Sequence, residues 1–363
     1  MPTAPAHVID SVDPVLRRLG LGRLRWPTAT LAVGRNDNWI GDTTTGRRVF
    51  VKKVTGQDAE VVRRMRRTEA FYRSRSAAGR QDCLRTAELL GQDERAGVQV
   101  FSCVDDASDG SRLAVDQRFG ADLGRRAGMA IATVHGGEPS LLRVLAQSLP
   151  AEPPADLLGG LSLEIFYDSS FAQLEVWRLI QRDRSVVDGL AALERPVAEE
   201  LLAPVHGDLR LDQFLLAGGQ LYVTDWEEFQ LADPARDVGS FLGEWIYHSV
   251  VAFLAERGRR GAGRPVPVPN IVLSPNWAAY GRAREVVGAF WAGYRSIRRI
   301  LDPEFADRAT LFAGWHLIER LLMDTMVKPR LDGAGHALFR VAGTILRAPG
   351  RFAPVLGLAD SPC

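Results

Sequence analysis

Val205-His206-Gly207-Asp208-Leu209-Arg210-Leu211-Asp212-Gln213-Phe214-Leu215-Leu216, followed closely by Leu221-Tyr222-Val223-Thr224-Asp225-Trp226-Glu227, is the stretch on which the reading of the chain turns. Val205 leads into a polar loop and Phe214 to Leu216 is apolar. Ala217-Gly218-Gly219-Gln220 has turn chemistry, and Leu221 to Thr224 is apolar and β-branched. The pattern predicts two short strands around a tight turn. Asp208 and Asp225 stand at the strand ends, where a scaffold can aim a side chain at a ligand. One carboxylate so placed can orient a hydroxyl and accept its proton, and the other can hold a metal on a polyphosphate. A hairpin with merely solvated turn acids would not explain the order, the spacing and the flanking apolar runs together.

Protein kinases divide the work in this way, with a catalytic Asp in H-R-D-x-x-x-x-N and a metal Asp in D-F-G. Here the loop reads H-G-D-x-x-x-x-Q from His206 to Gln213, and the second motif is D-W-E at Asp225 to Glu227. The pairing resembles the aminoglycoside phosphotransferase and choline kinase branch of the kinase-like fold. The resemblance continues into Asp233-Pro234-Ala235-Arg236-Asp237. In that family the second acid of a D-P-x-x-D segment braces the catalytic loop, which makes Asp237, with His206, structural support. A place in the first turn of a helix starting near Val238 is compatible with that role. The implied fold is α+β and bilobal, protein-kinase-like. It has a small antiparallel β-sheet N-lobe with one main helix and a larger, mainly helical C-lobe. The implied cofactors are ATP and Mg2+.

At 363 residues the chain is long enough for two lobes, each with its own core. An apolar fraction of 46% and a charged fraction of 25% are those of an ordinary globular protein. A net charge of +1 gives no global pull towards nucleic acid or anionic membrane, so neither is expected as a partner. Cys83, Cys103 and Cys363 are scattered and without metal spacing, which suggests a reducing compartment. No apolar run is expected to span a membrane and the start lacks signal-peptide blocks, so the expected location is cytoplasmic.

The expected organisation is a leader with a short helix (1–28), an N-lobe (29–119) and a C-lobe (120–363). The C-lobe holds the catalytic loop (205–216), the metal motif (224–228) and substrate-binding inserts at 138–200 and 258–275. Thr30 to Val33, Trp39-Ile40 and Arg47 to Val54 read as strands, with Thr44-Thr45-Gly46 as a hairpin turn. Val49-Phe50-Val51-Lys52 has the form of the kinase V-A-I-K strand. Alternation puts Phe50 and Lys52 on one face and Val51 and Lys53 on the other. Lys52 is the expected phosphate ligand, with Lys53 as the register-slip alternative. In the loop before, Asn36 and Asn38 can offer amides to the phosphates, although the loop also reads as a plain polar turn.

Asp58 to Ala78 has helical composition. Glu69 is the expected acid partner of Lys52, with Glu60 as competitor, and the helix's arginines read as a solvated face. Val98 to Val104 and Leu113 to Val115 read as strands. The resemblance then implies a hinge at Asp116 to Phe119, so Gln117 and Phe119 are expected at the adenine. Gly124 to His135 reads as a helix whose His135 is a packed histidine.

The resemblance implies that Lys52 and Mg2+ neutralise the phosphates, Asp225 ligates the metal, and Glu69 fixes Lys52. Asp208 orients the acceptor, and Arg210 approaches the transferred phosphate or else pairs with a neighbouring acid. Gln213 stands where the family has Asn; the second metal contact falls to it, or shifts to Asp212 or Glu227. Gly34 to Trp39 with Val49 to Lys53 also resembles the kinase subunit of class V lanthipeptide synthetases and related thioamitide phosphotransferases. That likeness implies a Ser/Thr-bearing precursor peptide as acceptor, with a separate lyase subunit as partner. No acidic run suited to a polycation is evident, and Arg259, Arg260 and Arg264 decorate the second insert. A small-molecule kinase and a nucleotide-binding pseudokinase are the alternatives.

Overall fold

The computed structural model describes residues 5–32, 36–78, 83–138, 154–195, 197–259 and 278–358. In chain order the strands are β1 (Thr30–Ala32), β2 (Asp37–Asp42), β3 (Arg48–Lys53), β4 (Leu89–Asp93), β5 (Val98–Ser102) and β6 (Ser108–Asp109). They continue as β7 (Ala203–Val205), β8 (Phe214–Ala217), β9 (Gln220–Val223) and β10 (Gln230–Ala232). The helices begin with α1 (Ala6–Arg18), α2 (Asp58–Ala78), α3 (Gly110–Val115) and α4 (Ala121–His135). After α5 (Ala155–Gly159) and α6 (Leu163–Asp168) come α7 (Phe171–Arg182) and α8 (Arg184–Leu193). The long ones are α9 (Ala235–Arg259), α10 (Ala278–Ile297), α11 (Phe305–Asp324) and α12 (Gly333–Arg347).

The chain divides into two compact units, 1–109 with 213–230, and 110–212 with 231–363. The first is built on an antiparallel sheet in the order β1-β2-β3-β5-β4. Strand alternation puts Val49 and Val51 of β3 on one face with Val98 and Val100 of β5, all fully buried. Against that face α1 lays Val8, Val12, Val15 and Leu16, spaced by three and four residues as a helix stripe requires. The expected leader is therefore part of the sheet's core. The same alternation turns Phe50 and Lys52 to the opposite face. A second small sheet, β6-β8-β9, carries the hairpin whose two turn residues, Gly218 and Gly219, both have positive φ. A two-residue loop matching strand twist needs that conformation.

In the second unit α4 packs along α10, α9 along α11, and α11 against α12. By length and composition Ala235–Glu256 passes as a membrane span, contrary to the expectation that no run would; 61% of its apolar window is buried, as in a core helix.

Three boundaries differ from the sequence expectation. Leu113 to Val115 is helical, in α3. The stretch 110–119 belongs to the second unit, while the hairpin 213–230 belongs to the first. The insert arginines Arg260 and Arg264 and the side chain of Arg259 lie outside the described residues, as does most of 138–153.

Candidate active site

The catalytic-loop candidates sit on alternating positions. Leu209 and Leu211 are fully buried and pin the segment to the core of the second unit, so Asp208, Arg210 and Asp212 point outward. Gly207 has φ +86°, a conformation that a side chain resists, so the turn before Asp208 asks for glycine. Asp208 keeps 41% of its side chain exposed, with Arg210 Nε 3.9 Å away and Asp212 3.3 Å from the same nitrogen. Arg210 thus pairs with neighbouring acids, the alternative that the sequence left open.

Asp237 is buried beneath this turn. It accepts the backbone N–H of His206 at 2.7 Å and of Gly207 at 3.0 Å, and receives His135 Nε2 at 2.9 Å. The other nitrogen of His135 lies 2.7 Å from the Tyr294 hydroxyl. The consistent assignment has neutral His135 donating to Asp237 and accepting from Tyr294. Burial pushes His135 below the ordinary histidine range, against the pull of Asp237. Burial would raise Asp237, yet His135, His206 and the Gly207 N–H together hold it below its usual value. An ionised, buried carboxylate therefore ties down two successive loop amides.

Glu244 of α9 adds a second tie that the sequence did not suggest. It accepts the Leu211 N–H at 3.2 Å and meets His316 at 2.9 Å and Arg320 at 3.4 Å. Burial alone would raise its pKa, but His316, Arg320 and His248 outweigh this and hold it at about 2.

In the first unit, Lys52 is buried and contacts both Asp225 and Glu227, the latter at 2.5 Å. Burial disfavours the ammonium, yet the two carboxylates keep its pKa above the ordinary lysine value, so it is charged. Lys53 instead donates to the Ala96 carbonyl. Asp225 stands at φ +66°, a conformation that Asp tolerates better than most residues. The carbonyl of Gln213, a buried residue, accepts the Thr224 N–H at 2.9 Å, which fixes the approach to Asp225.

Several expected roles are not what the geometry shows. Glu69 does not meet Lys52: it binds Arg73 at 2.5 Å and Gln92 at 3.4 Å. Helical phase decides this, because α2 turns Arg64, not an acid, to that side, and Arg64 pairs with Glu227. Arg64 and Arg67 are buried, so this part of the arginine run is no solvated face. Asn36 does not offer a free amide. Its Oδ1 accepts from Thr55 N at 3.1 Å and Arg64 at 3.3 Å, and its Nδ2 donates to Glu227 at 3.3 Å. Asn38, directly across from Lys52 in the sheet, is buried. Gln117 is exposed at φ +60°, and Phe119 is fully buried against Phe241 and Trp245 in the second unit. Both lie in the second unit, past Ser102, where the chain leaves the five-stranded sheet.

No three Asp, Glu, His or Cys side chains cluster in metal-binding fashion among the described residues. A magnesium ion carried on a nucleotide needs only one or two carboxylates, the rest being phosphate and water. Asp225, whose carboxylate already faces the ammonium of Lys52, fits that demand. A hollow of about 640 Å³ in the second unit is lined by Asp188, Arg195, Asp307 and Arg347 among others, and by none of these site residues.

A small antiparallel sheet with a buried lysine, a helix-rich unit with a braced Asp loop, and a metal-type Asp after a hairpin define a protein-kinase-like phosphotransferase. The chain belongs to the phosphotransferase enzyme family, whose model matches residues 31–286. Solved structures agree on the fold. Choline kinase LicA from Streptococcus pneumoniae is 14% identical, with 92% of this chain and 98% of that chain covered at a TM-score of 0.54. Amicoumacin kinase hAmiN, solved with AMP-PNP, Ca2+ and Ami, is also 14% identical, with 93% of each chain covered and a TM-score of 0.55. A glucosamine kinase is 17% identical, covering 93% of this chain and 84% of that chain at 0.52. Among curated proteins none matches.

Proposed function

We propose that the protein transfers the γ-phosphate of ATP, carried with Mg2+, to the hydroxyl of a Ser or Thr in a ribosomally made precursor peptide, a partner lyase eliminating the phosphate afterwards. The observation that carries the phosphoryl-transfer chemistry is the buried, charged Lys52 held beside Asp225. Lys52 binds and neutralises the phosphates, and the backbone of Cys103 to Asp106 takes the hinge place at the adenine. Asp225, with Gln213, would hold the metal, which offsets phosphate charge when bound. Asp208 accepts the hydroxyl proton as the acceptor oxygen bonds to phosphorus and the bond to the bridging oxygen breaks, releasing ADP.

For the acceptor, the support lies in the second unit. Glu244 is paired with Arg320 and Asp324 accepts from Tyr247, so these two acids are already engaged and less suited to a polycationic aminoglycoside. Ser170 donates to the Thr325 carbonyl at 2.6 Å, which joins the start of α7 to the end of α11. Phe171, Met326 and Val327, next to that joint, are exposed, a surface suited to an extended apolar chain. The second reading, a small-molecule acceptor, is favoured by the choline, amicoumacin and glucosamine kinases among the similar folds.

Incubation with labelled ATP and Mg2+ against precursor peptides and an antibiotic, sugar and amino-alcohol panel, read by mass, separates the two. A gain of one phosphate on Ser or Thr supports the peptide. Phosphorylation confined to a small molecule overturns it.

A further inference from the structure

Among the described residues Lys52 has no acid partner from α2, yet α2 meets the metal motif through two arginines and an aromatic ring. Arg64 is fully buried and pairs with Glu227, and it also donates to the Thr55 carbonyl at 3.0 Å and to Asn36 Oδ1 at 3.3 Å. One turn on, Arg67 pairs with Glu228. A turn further, Phe71 stacks on Trp226 with centroids 3.6 Å apart and planes within 5°. Positions 64, 67 and 71 share one helix face, so α2 reads the sequence Trp226-Glu227-Glu228 side chain by side chain. One carboxylate oxygen of Glu227 faces Arg64, and the other faces Lys52 and Asn36.

Resting on the phosphotransferase reading of this site, we propose that Glu227, clamped by Arg64, is the residue that positions Lys52 for the nucleotide phosphates. The helix then acts on the lysine through a cation and a carboxylate borrowed from the metal motif, not through an acid of its own. Two cations and an amide occupy Glu227, which accordingly serves as a positioning residue and is not the second metal contact. Asp225 also touches Lys52, but a carboxylate that turns to a metal releases the ammonium. Glu227, held from behind by Arg64 and Asn36, keeps it in place.

The test is calorimetric affinity for ATP and for adenosine, measured without divalent metal, so that phosphate contact is read apart from base contact and from turnover. Lys52→Met sets the scale by weakening ATP and sparing adenosine. Glu227→Gln is expected to weaken ATP about tenfold, the worth of one charge-assisted contact, with adenosine within twofold. Arg64→Lys, which keeps the charge but loses the fork, is expected to fall between wild type and Glu227→Gln. Glu69→Gln is expected to change neither ligand more than twofold. Added to Lys52→Met, Glu227→Gln should cost nothing further, the mark of a residue acting through the lysine. If Lys52→Met weakens ATP while Glu227→Gln and Arg64→Lys do not, the positioning role is wrong and the phosphotransferase reading stands. Equal losses for ATP and adenosine in Glu227→Gln likewise overturn positioning in favour of a purely structural role. If Lys52→Met itself leaves ATP affinity unchanged, the reading of the site fails first.

Discussion

Asp208 and Glu244 are asked for opposite things by their surroundings. Asp208 is half exposed, on the outward side of its loop, with Arg210 Nε 3.9 Å away. Asp208→Asn keeps the shape and removes the proton acceptor. Transfer to the acceptor should fall roughly a hundredfold or more, while nucleotide affinity measured by calorimetry stays within a few-fold. Unchanged turnover would remove Asp208 from the chemistry. Glu244 is buried, and its role is to stay ionised beneath Leu211. Its folded pKa of about 2 lies below the ordinary glutamate value of 4.5, so its stabilisation is complete above pH 4.5 and is lost as pH falls towards 2. The loss is on the order of 3 kcal/mol. Acid unfolding followed by circular dichroism should therefore show a shallower slope between pH 4.5 and 2 in Glu244→Gln, which starts from lower stability at neutral pH. An identical acid slope in the variant would show that the carboxylate does not carry this linkage. At Gln213, the substitution Gln213→Asn should keep or raise transfer, measured as initial rate, because it restores the shorter amide that the family uses; a large loss would show that the longer side chain is required.

Among the elements, β3 and the β8–β9 hairpin were readable because strand alternation and turn chemistry are local. Val49, Val51 and the Gly218-Gly219 turn carry their own signals. Helix α2 was readable as a helix over Asp58–Ala78, but its docking face was not. Arginine in a helix is solvated by default, and buried Arg64 finds its ion-pair partner in Glu227, 163 residues on. The one trace in the sequence is the spacing of Arg64, Arg67 and Phe71 set against the consecutive Trp226, Glu227 and Glu228. Phe71→Ala removes the ring stacked on Trp226 and should lower stability by about 3–5 kcal/mol, seen as an unfolding transition at lower denaturant. A cost below about 1 kcal/mol would mean that the aromatic stack does not hold the helix. The strand expected at Leu113 to Val115 was misassigned for a related reason. Leu113 to Val115 is apolar and β-branched at one end, and a run of three residues does not distinguish a strand from the helical turn that it forms.

At the scale of the molecule, the α+β class and the two-unit organisation followed from order along the chain: sheet, helix, then loop and hairpin. The composition of the units did not, because contacts and not sequence order assign the hairpin 213–230 to the sheet-bearing unit and 110–119 to the helical one. The helix α1 shows the same limit, since nothing local says that a leader stripe of valines covers the valine face of β3 and β5. What unites the family assignment, the buried lysine and the hairpin acid is one claim, that Lys52 and Asp225 form a site for a metal-bound nucleoside triphosphate. Calorimetry of ATP with and without Mg2+, in wild type and in Asp225→Ala, tests it most directly. The account predicts that Mg2+ tightens ATP binding in wild type and that Asp225→Ala abolishes this increment while metal-free ATP still binds; an increment that survives intact in Asp225→Ala would contradict it.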